Sequence, residues 1–144
     1  MFLGTHHHRL DAKGRVTVPR SFRPHLGAEV VVTQGLGGEP CLYLFPLPKW
    51  HQIIERLEAL SLGRREVRWA RRLLMGNAHL VAPDRLGRIL IPASLREAAG
   101  IDQEVLIIGL QTYIELWAPE VWHRMRKEVL EDGLTEEQWA NLGI

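Results

Sequence analysis

The sequence predicts an α+β, β-rich fold built from two pseudo-symmetric repeats with peripheral helices, and three observations carry that reading. The first is a duplication. Asp11-Ala12-Lys13-Gly14-Arg15-Val16-Thr17-Val18-Pro19 returns 73 residues later as Asp84-Arg85-Leu86-Gly87-Arg88-Ile89-Leu90-Ile91-Pro92. At the same offset Ser21 matches Ser94, Phe22 matches Leu95, Arg23 matches Arg96 and Gly27 matches Gly100. Turn, strand and helix signals kept in one register mark a duplicated structural unit. The second observation is a set of short alternating or β-branched runs bounded by Gly and Pro, such as Arg15 to Val18 and Val30 to Val32. The third is the stripe Trp50, Ile53, Ile54 and Leu57, spaced for one face of a helix that follows the strands.

Taken in order, Thr5 to Leu10 reads as a strand closed by the turn Asp11-Ala12-Lys13-Gly14. Asp at the first position accepts local N–H groups, and Gly at the fourth tolerates positive φ. Arg15 to Val18 then alternates, Val16 and Val18 on one face and Arg15 and Thr17 on the other, so the stretch is expected to be a β-hairpin. Pro19 opens a short helix that Gly27 terminates and Pro24 keeps brief. Val30 to Val32 and Cys41 to Phe45 are strands joined by the loop Gly35-Leu36-Gly37-Gly38, and Pro46 and Pro48 break the second of them. Helices are expected from about Lys49 to Leu60 and from about Arg64 to Met75. The second copy repeats the scheme: His79 to Pro83, the turn Asp84 to Gly87, a strand Arg88 to Ile91, and a helix Pro92 to Ala99 closed by Gly100. Strands Val105 to Ile108 and Tyr113 to Trp117 follow, then a helix Glu120 to Leu130, an acidic tail and a last short helix at Thr135 to Trp139. The division this implies is a first repeat over 1–63, a connecting basic helix over 64–78 and a second repeat over 79–144, all sharing one core.

Composition narrows the function classes. An apolar content of 46% with 24% charged residues in 144 residues suits a globular chain with a real core. No apolar run is long enough to span a bilayer, and the N-terminus lacks a signal-peptide apolar region. Cys41 stands alone, which rules out an internal disulfide and fits a reducing compartment, so a cytoplasmic location is expected. The net charge of +1 conceals a polarity: residues 1–80 hold 12 Lys/Arg against 6 Asp/Glu, and residues 81–144 hold 6 against 11. Such asymmetry hints at a half that faces a polyanion.

The candidate site is the pair of Asp-x-x-Gly-Arg segments. Asp11, Gly14, Asp84 and Gly87 suit the turn itself. Arg15 and Arg88, with Lys13 at one tip and Arg85 at the other, make a small cationic surface. Guanidinium forks match phosphate oxygens and guanine edges, and a β-ribbon is narrow enough for a major groove.

Those segments, the intervening Leu42-Tyr43-Leu44-Phe45-Pro46 with Trp50, the opening Met1-Phe2-x-Gly4 and the Ala70-Arg71-Arg72 stretch together resemble the MraZ family, related to the AbrB/SpoVT transition regulators. The resemblance covers nearly the whole chain. It implies a double-split (AbrB/SpoVT-like) β-barrel, a ring-shaped homo-oligomer, and sequence-specific binding to double-stranded DNA at repeated promoter sites of the division and cell-wall gene cluster. It places the DNA contacts on Lys13, Arg15 and Arg88, with Arg85 added by position, and implies a nucleoid-associated regulator without cofactor or small-molecule substrate. Leu86 replaces the Lys of the first copy, so the first hairpin is expected to contribute more than the second.

Other features have plainer readings. Arg64, Arg65, Arg68, Arg71 and Arg72 form a solvated or intersubunit ion-pair face, with a second nucleic-acid contact as the alternative. His6 and His8 share a strand face but make only half a metal site, and no Cys or Asp pattern completes it. Cys41 is expected in the core. An enzymatic alternative is a hydrolase whose two repeat aspartates share a proton. Against it, a turn aspartate spends its oxygens on backbone N–H groups, and no nucleophile elbow or phosphate loop is present. An AbrB-type antitoxin or a DNA-independent oligomeric scaffold remains a further alternative.

Overall fold

The computed structural model describes residues 1–144. Its strands are β1 (Phe2–Arg9), β2 (Arg15–Thr17), β3 (Val30–Gln34), β4 (Leu42–Pro46), β5 (His79–Val81), β6 (Arg88–Leu90), β7 (Glu104–Gln111) and β8 (Ile114–Trp117). Its α-helices are α1 (Leu47–Ala59), α2 (Arg65–Gly76), α3 (Ala93–Ala99), α4 (Pro119–Glu128) and α5 (Glu136–Ala140). Six strands form one antiparallel sheet in the order β1-β7-β8-β4-β3-β5, and β2 with β6 forms a separate two-stranded ribbon. The class is α+β with a mostly antiparallel sheet.

The expected hairpins do not form. β1 and β2, which flank the Asp11–Gly14 turn, share only the bridge Leu10↔Val16. Instead β1 pairs along its eight residues with β7 of the other repeat, β5 pairs with β3, and β2 pairs with β6. Strand length explains the exchange. A three-residue partner could pair only a short part of an eight-residue strand, whereas β7 is as long as β1 and pairs along its whole inner edge. In the ribbon Val16 lies opposite Ile89, both almost wholly buried, with Arg15↔Leu90 and Thr17↔Arg88 on either side. A pseudo-twofold axis therefore passes through the Val16–Ile89 pair.

The two copies also differ at the helix after each ribbon strand. In the first copy it shrinks to a 3-10 turn, Arg23–His25, because Pro24 has no N–H to donate and Gly27 at φ 78° ends it. Glu97 stands where Pro24 would be, and α3 runs seven residues before Gly100 at φ 68° closes it.

The main core lies between the ribbon and one face of the large sheet. It takes Val16, Val18, Phe22, Val30 and Leu42 from the first half and Ile89, Ile91, Leu95, Val105 and Ile107 from the second. Helices cover the sheet's other face. Trp122 and Met125 of α4 pack on Leu106, Ile108 and Trp117, α1 sets Trp50 against Phe45, and Thr33 of β3 donates its hydroxyl to the Leu74 carbonyl of α2. On that face Glu115 is a buried acid whose carboxylate accepts a hydrogen bond from Trp117 Nε1 at 3.0 Å. Burial pushes the Glu115 carboxyl and the adjacent Cys41 thiol up from their ordinary values. No helix is long and apolar enough to cross a membrane.

Candidate nucleic-acid interface

Each turn is held by its own aspartate. Asp11 Oδ1 accepts the N–H groups of Lys13 and Arg15, both at 2.9 Å, and Oδ2 accepts Arg15 Nε at 2.7 Å. Asp84 does the same for the N–H groups of Leu86 and Arg88, at 2.9 Å each, and for Arg88 Nε at 2.7 Å. Gly14 at φ 82° and Gly87 at φ 74° complete the reversals, and both are buried. The local sequence folds this way because one carboxylate satisfies two turn N–H groups and one guanidinium edge at once.

This arrangement decides the electrostatics. The N–H of Arg15 holds the Asp11 carboxyl below the usual carboxylate range, aided by its guanidinium and the Lys13 N–H, and the corresponding groups of Arg88 and Leu86 act on Asp84. Both shifts go down. A carboxylate pair sharing a proton requires one to go up. The two aspartates also lie at opposite ends of the ribbon, each fully engaged within its own turn.

The arginines are only half used. Nε of Arg15 and of Arg88 is bound to Asp, while their terminal Nη atoms have no protein acceptor, and the side chains are 28% and 29% exposed. Arg15, Thr17, Arg88 and Leu90 share the ribbon face opposite the buried Val16 and Ile89. Ladder geometry sets Arg15 and Arg88 as diagonal neighbours, about 7–8 Å apart. The structure thus brings these two together. Lys13 and Arg85 sit exposed on the two turns, at the ribbon's two ends, with no acidic partner, and Leu86 is exposed as well.

Two further arginines build the site, and sequence reasoning gave them no role. Arg23 Nε donates to the Val18 carbonyl at 3.1 Å and packs against Gly87, the turn glycine of the other repeat. Arg96 Nε donates to the Ile91 carbonyl at 3.0 Å and packs against Gly14. A Cβ on Gly14 would lie 2.7 Å from the Arg96 guanidinium carbon. The N–H groups of Ile91 and Val18 reach across to the carbonyls of Gly14 and Gly87, at 3.0 and 2.9 Å. Each turn is therefore seated on the opposite repeat. Their signal in the sequence was the constant-offset match of Arg23 with Arg96; its meaning depends on strand exchange.

Elsewhere, His6 and His8 turn toward the core side of β1, the His6 ring lying 5.0 Å from Phe22. Burial, then His6, His7 and Arg23, lower the His8 pKa. No group of three His, Cys, Asp or Glu is placed to hold a metal ion. Just before α2 Arg64 pairs with Glu66 at 2.7 Å, and on it Arg72 lies 5.0 Å over the Trp69 ring.

Strand exchange thus sets one aspartate-pinned guanidinium from each repeat on one exposed ribbon face, with both turn aspartates spent on their own turns. The family model described as "MraZ protein, putative antitoxin-like" matches residues 1–73 and again 74–142. The transcriptional regulator MraZ of Clostridium acetobutylicum is 37% identical over 144 residues, all of both chains. That of Lachnoclostridium phytofermentans is 43% identical over 122 residues, 85% of this chain and 84% of its own. That of Salinispora arenicola is 39% identical over 144 residues, again all of both. The chain belongs to the MraZ family, a family of transcriptional regulators and not of enzymes.

Proposed function

We propose that this protein is a sequence-specific regulator that binds double-stranded DNA through Lys13, Arg15, Arg85 and Arg88. One observation carries the reading: two aspartate-pinned arginines, diagonal neighbours, share the exposed face of one narrow ribbon with their terminal N–H groups unused. A pinned guanidinium loses little freedom when its outer edge meets a phosphate or a guanine, so contact there is favoured over contact by a free side chain. A two-stranded ribbon fits the major groove, where base edges are distinguishable. In this reading the closed assembly of ribbon and sheet is a double-split barrel of two repeats, 1–63 and 79–144, joined by the basic segment 64–78. The protein works as a ring-shaped homo-oligomer in the cytoplasm, on the nucleoid, at short direct repeats upstream of the division and cell-wall genes. One ribbon is a small footprint, and several held in a ring reach repeated sites through effective concentration.

The test is a titration of promoter fragments carrying one or several direct repeats, at several salt concentrations. Affinity is expected to rise steeply with repeat number, and log affinity to fall linearly with log salt. Loss of one phosphate contact reduces that slope by about one unit. Equal affinity for single-repeat and multi-repeat fragments, or for promoter and unrelated DNA, would sink the proposal. The antitoxin-like family description supports a second reading, in which the ribbon seats a protein. That reading predicts binding that survives high salt and needs no DNA.

A further inference from the structure

Two surfaces of this chain are left without partners, and they complement one another. The first is the outer side of α2. Its inner side buries Val67 and Leu74, while Arg65, Trp69, Arg72 and Leu73 stand exposed one turn apart, Trp69 at 45%. Between Arg64 and Gly76 there are five arginines and one glutamate. That glutamate is already paired with Arg64.

The second is the C-terminal tail, in which every residue from Arg126 to Ile144 is exposed. From Glu128 onward it carries five acidic residues and no Lys or Arg, and none of the five forms an ion pair. Yet it is not featureless. α5 has a complete capping box, with Thr135 Oγ1 accepting the Gln138 N–H at 3.1 Å and Gln138 Oε1 accepting the Thr135 N–H at 2.9 Å. It presents Trp139, 46% exposed, with Leu134 and Leu142 alongside. A short capped helix whose first turn holds two glutamates and whose second bears a tryptophan, with every residue exposed, is a ligand in form.

We infer that the α2 face of one copy is the docking surface for the α5 tail of a second copy of this chain. Trp139 and Leu142 supply apolar anchors for the Trp69–Leu73 strip, and Glu136 and Glu137 meet Arg65 and Arg72. Aromatic anchors carry most of the affinity of such a contact; exposed ion pairs contribute little, but they set register and exclude wrong partners. Each copy owns one face and one tail. The contact is therefore heterologous, and where its rotation closes into the ring proposed above every face and tail is used. The inference supplies the contact for the assembly proposed above, and it does not depend on the ribbon binding DNA.

Charge exchange in the full chain tests it. One variant carries Arg65→Glu with Arg72→Glu, and another carries Glu136→Arg with Glu137→Arg. Circular dichroism checks folding, and light scattering after gel filtration reads mass. Each variant alone is expected to fall from the assembled mass to a single chain. Mixing the two is expected to restore the assembly, because the acidic face of one then meets the basic tail of the other. Retention of the assembled mass by either folded variant overturns the inference, as does a mixture that stays monomeric or a wild type that is monomeric. So does an α2 variant that stays assembled but loses DNA, which would make α2 a nucleic-acid surface. Failure of the DNA proposal reads differently: wild-type rings form, exchange works, and no promoter fragment is bound.

Discussion

At the scale of single residues, the site rests on how one aspartate divides its oxygens. Asp11 and Asp84 each fix a turn with one oxygen and an arginine with the other, so the guanidinium reaches the surface already oriented. Arg15 and Arg88 have like exposure and the same aspartate pairing, and the two turns differ beside them: Ala12-Lys13 on one and Arg85-Leu86 on the other, so only the first has a cation at the position before its glycine. Arg15→Ala is therefore expected to weaken promoter binding more than Arg88→Ala, with Lys13→Ala also costly. A lost bidentate base contact accounts for about 1–3 kcal/mol. Affinity and melting temperature measured together for the three variants check this. An equal or larger affinity loss for Arg88→Ala, with all proteins folded, refutes the asymmetry.

At the scale of elements, the turns and the covered sheet face respond to pH in opposite senses. The depressed pKa values of Asp11 and Asp84 mean that their bonds stabilise the turns above the ordinary carboxylate pKa of about 3.9. That contribution is lost as pH falls through the lower folded values. Protection of the amides of Lys13, Arg15, Leu86 and Arg88, measured against their intrinsic exchange rates, should accordingly fall below about pH 4, ahead of protection in β7. Glu115 works the other way, since burial raises its carboxyl and ionisation above its folded pKa costs stability. Glu115→Gln keeps an acceptor for Trp117 Nε1 and removes the buried charge. Its melting temperature should exceed wild type at neutral pH and converge with it below about pH 4. A variant less stable than wild type at pH 7 would show that the ionised carboxylate is needed.

At the scale of the whole molecule, neither repeat completes its own strand pairing, since only β3–β4 and β7–β8 pair within a repeat. β1 needs β7, β5 needs β3 and β2 needs β6. A fragment of residues 1–73 lacks the partner of its longest strand and the Ile89 that seals Val16, and a fragment of 74–144 has the reciprocal lack. Each is expected to be unfolded alone, and the two are expected to fold together when mixed, giving the circular dichroism spectrum of the intact chain. For the same reason the intact core should melt in one transition. Folding of either half alone would show that local pairing can replace the exchange.

The turn chemistry was legible in the sequence, because Asp and Gly at set positions are short-range demands that neighbours in the chain satisfy. So were the alternation of Val16 and Val18, the Trp50 stripe and the short helix at Thr135 to Trp139, each governed by residues within a few positions. The pairing of the strands was not. Both a hairpin and an exchange satisfy the alternation of Arg15 to Val18, and the choice between them is made by strands about a hundred residues away that match β1 in length. Arg23 and Arg96 show the same divide. Their shared offset marks them as equivalent, yet the sequence places each beside its own turn, while the fold seats each against the other's glycine. The sequence by itself determined the local turn that each of these cationic side chains occupies. Only the tertiary structure decided that two such turns share one ribbon, because backbone hydrogen-bond satisfaction and burial of Val16 on Ile89 are properties of the closed molecule and of no segment within it.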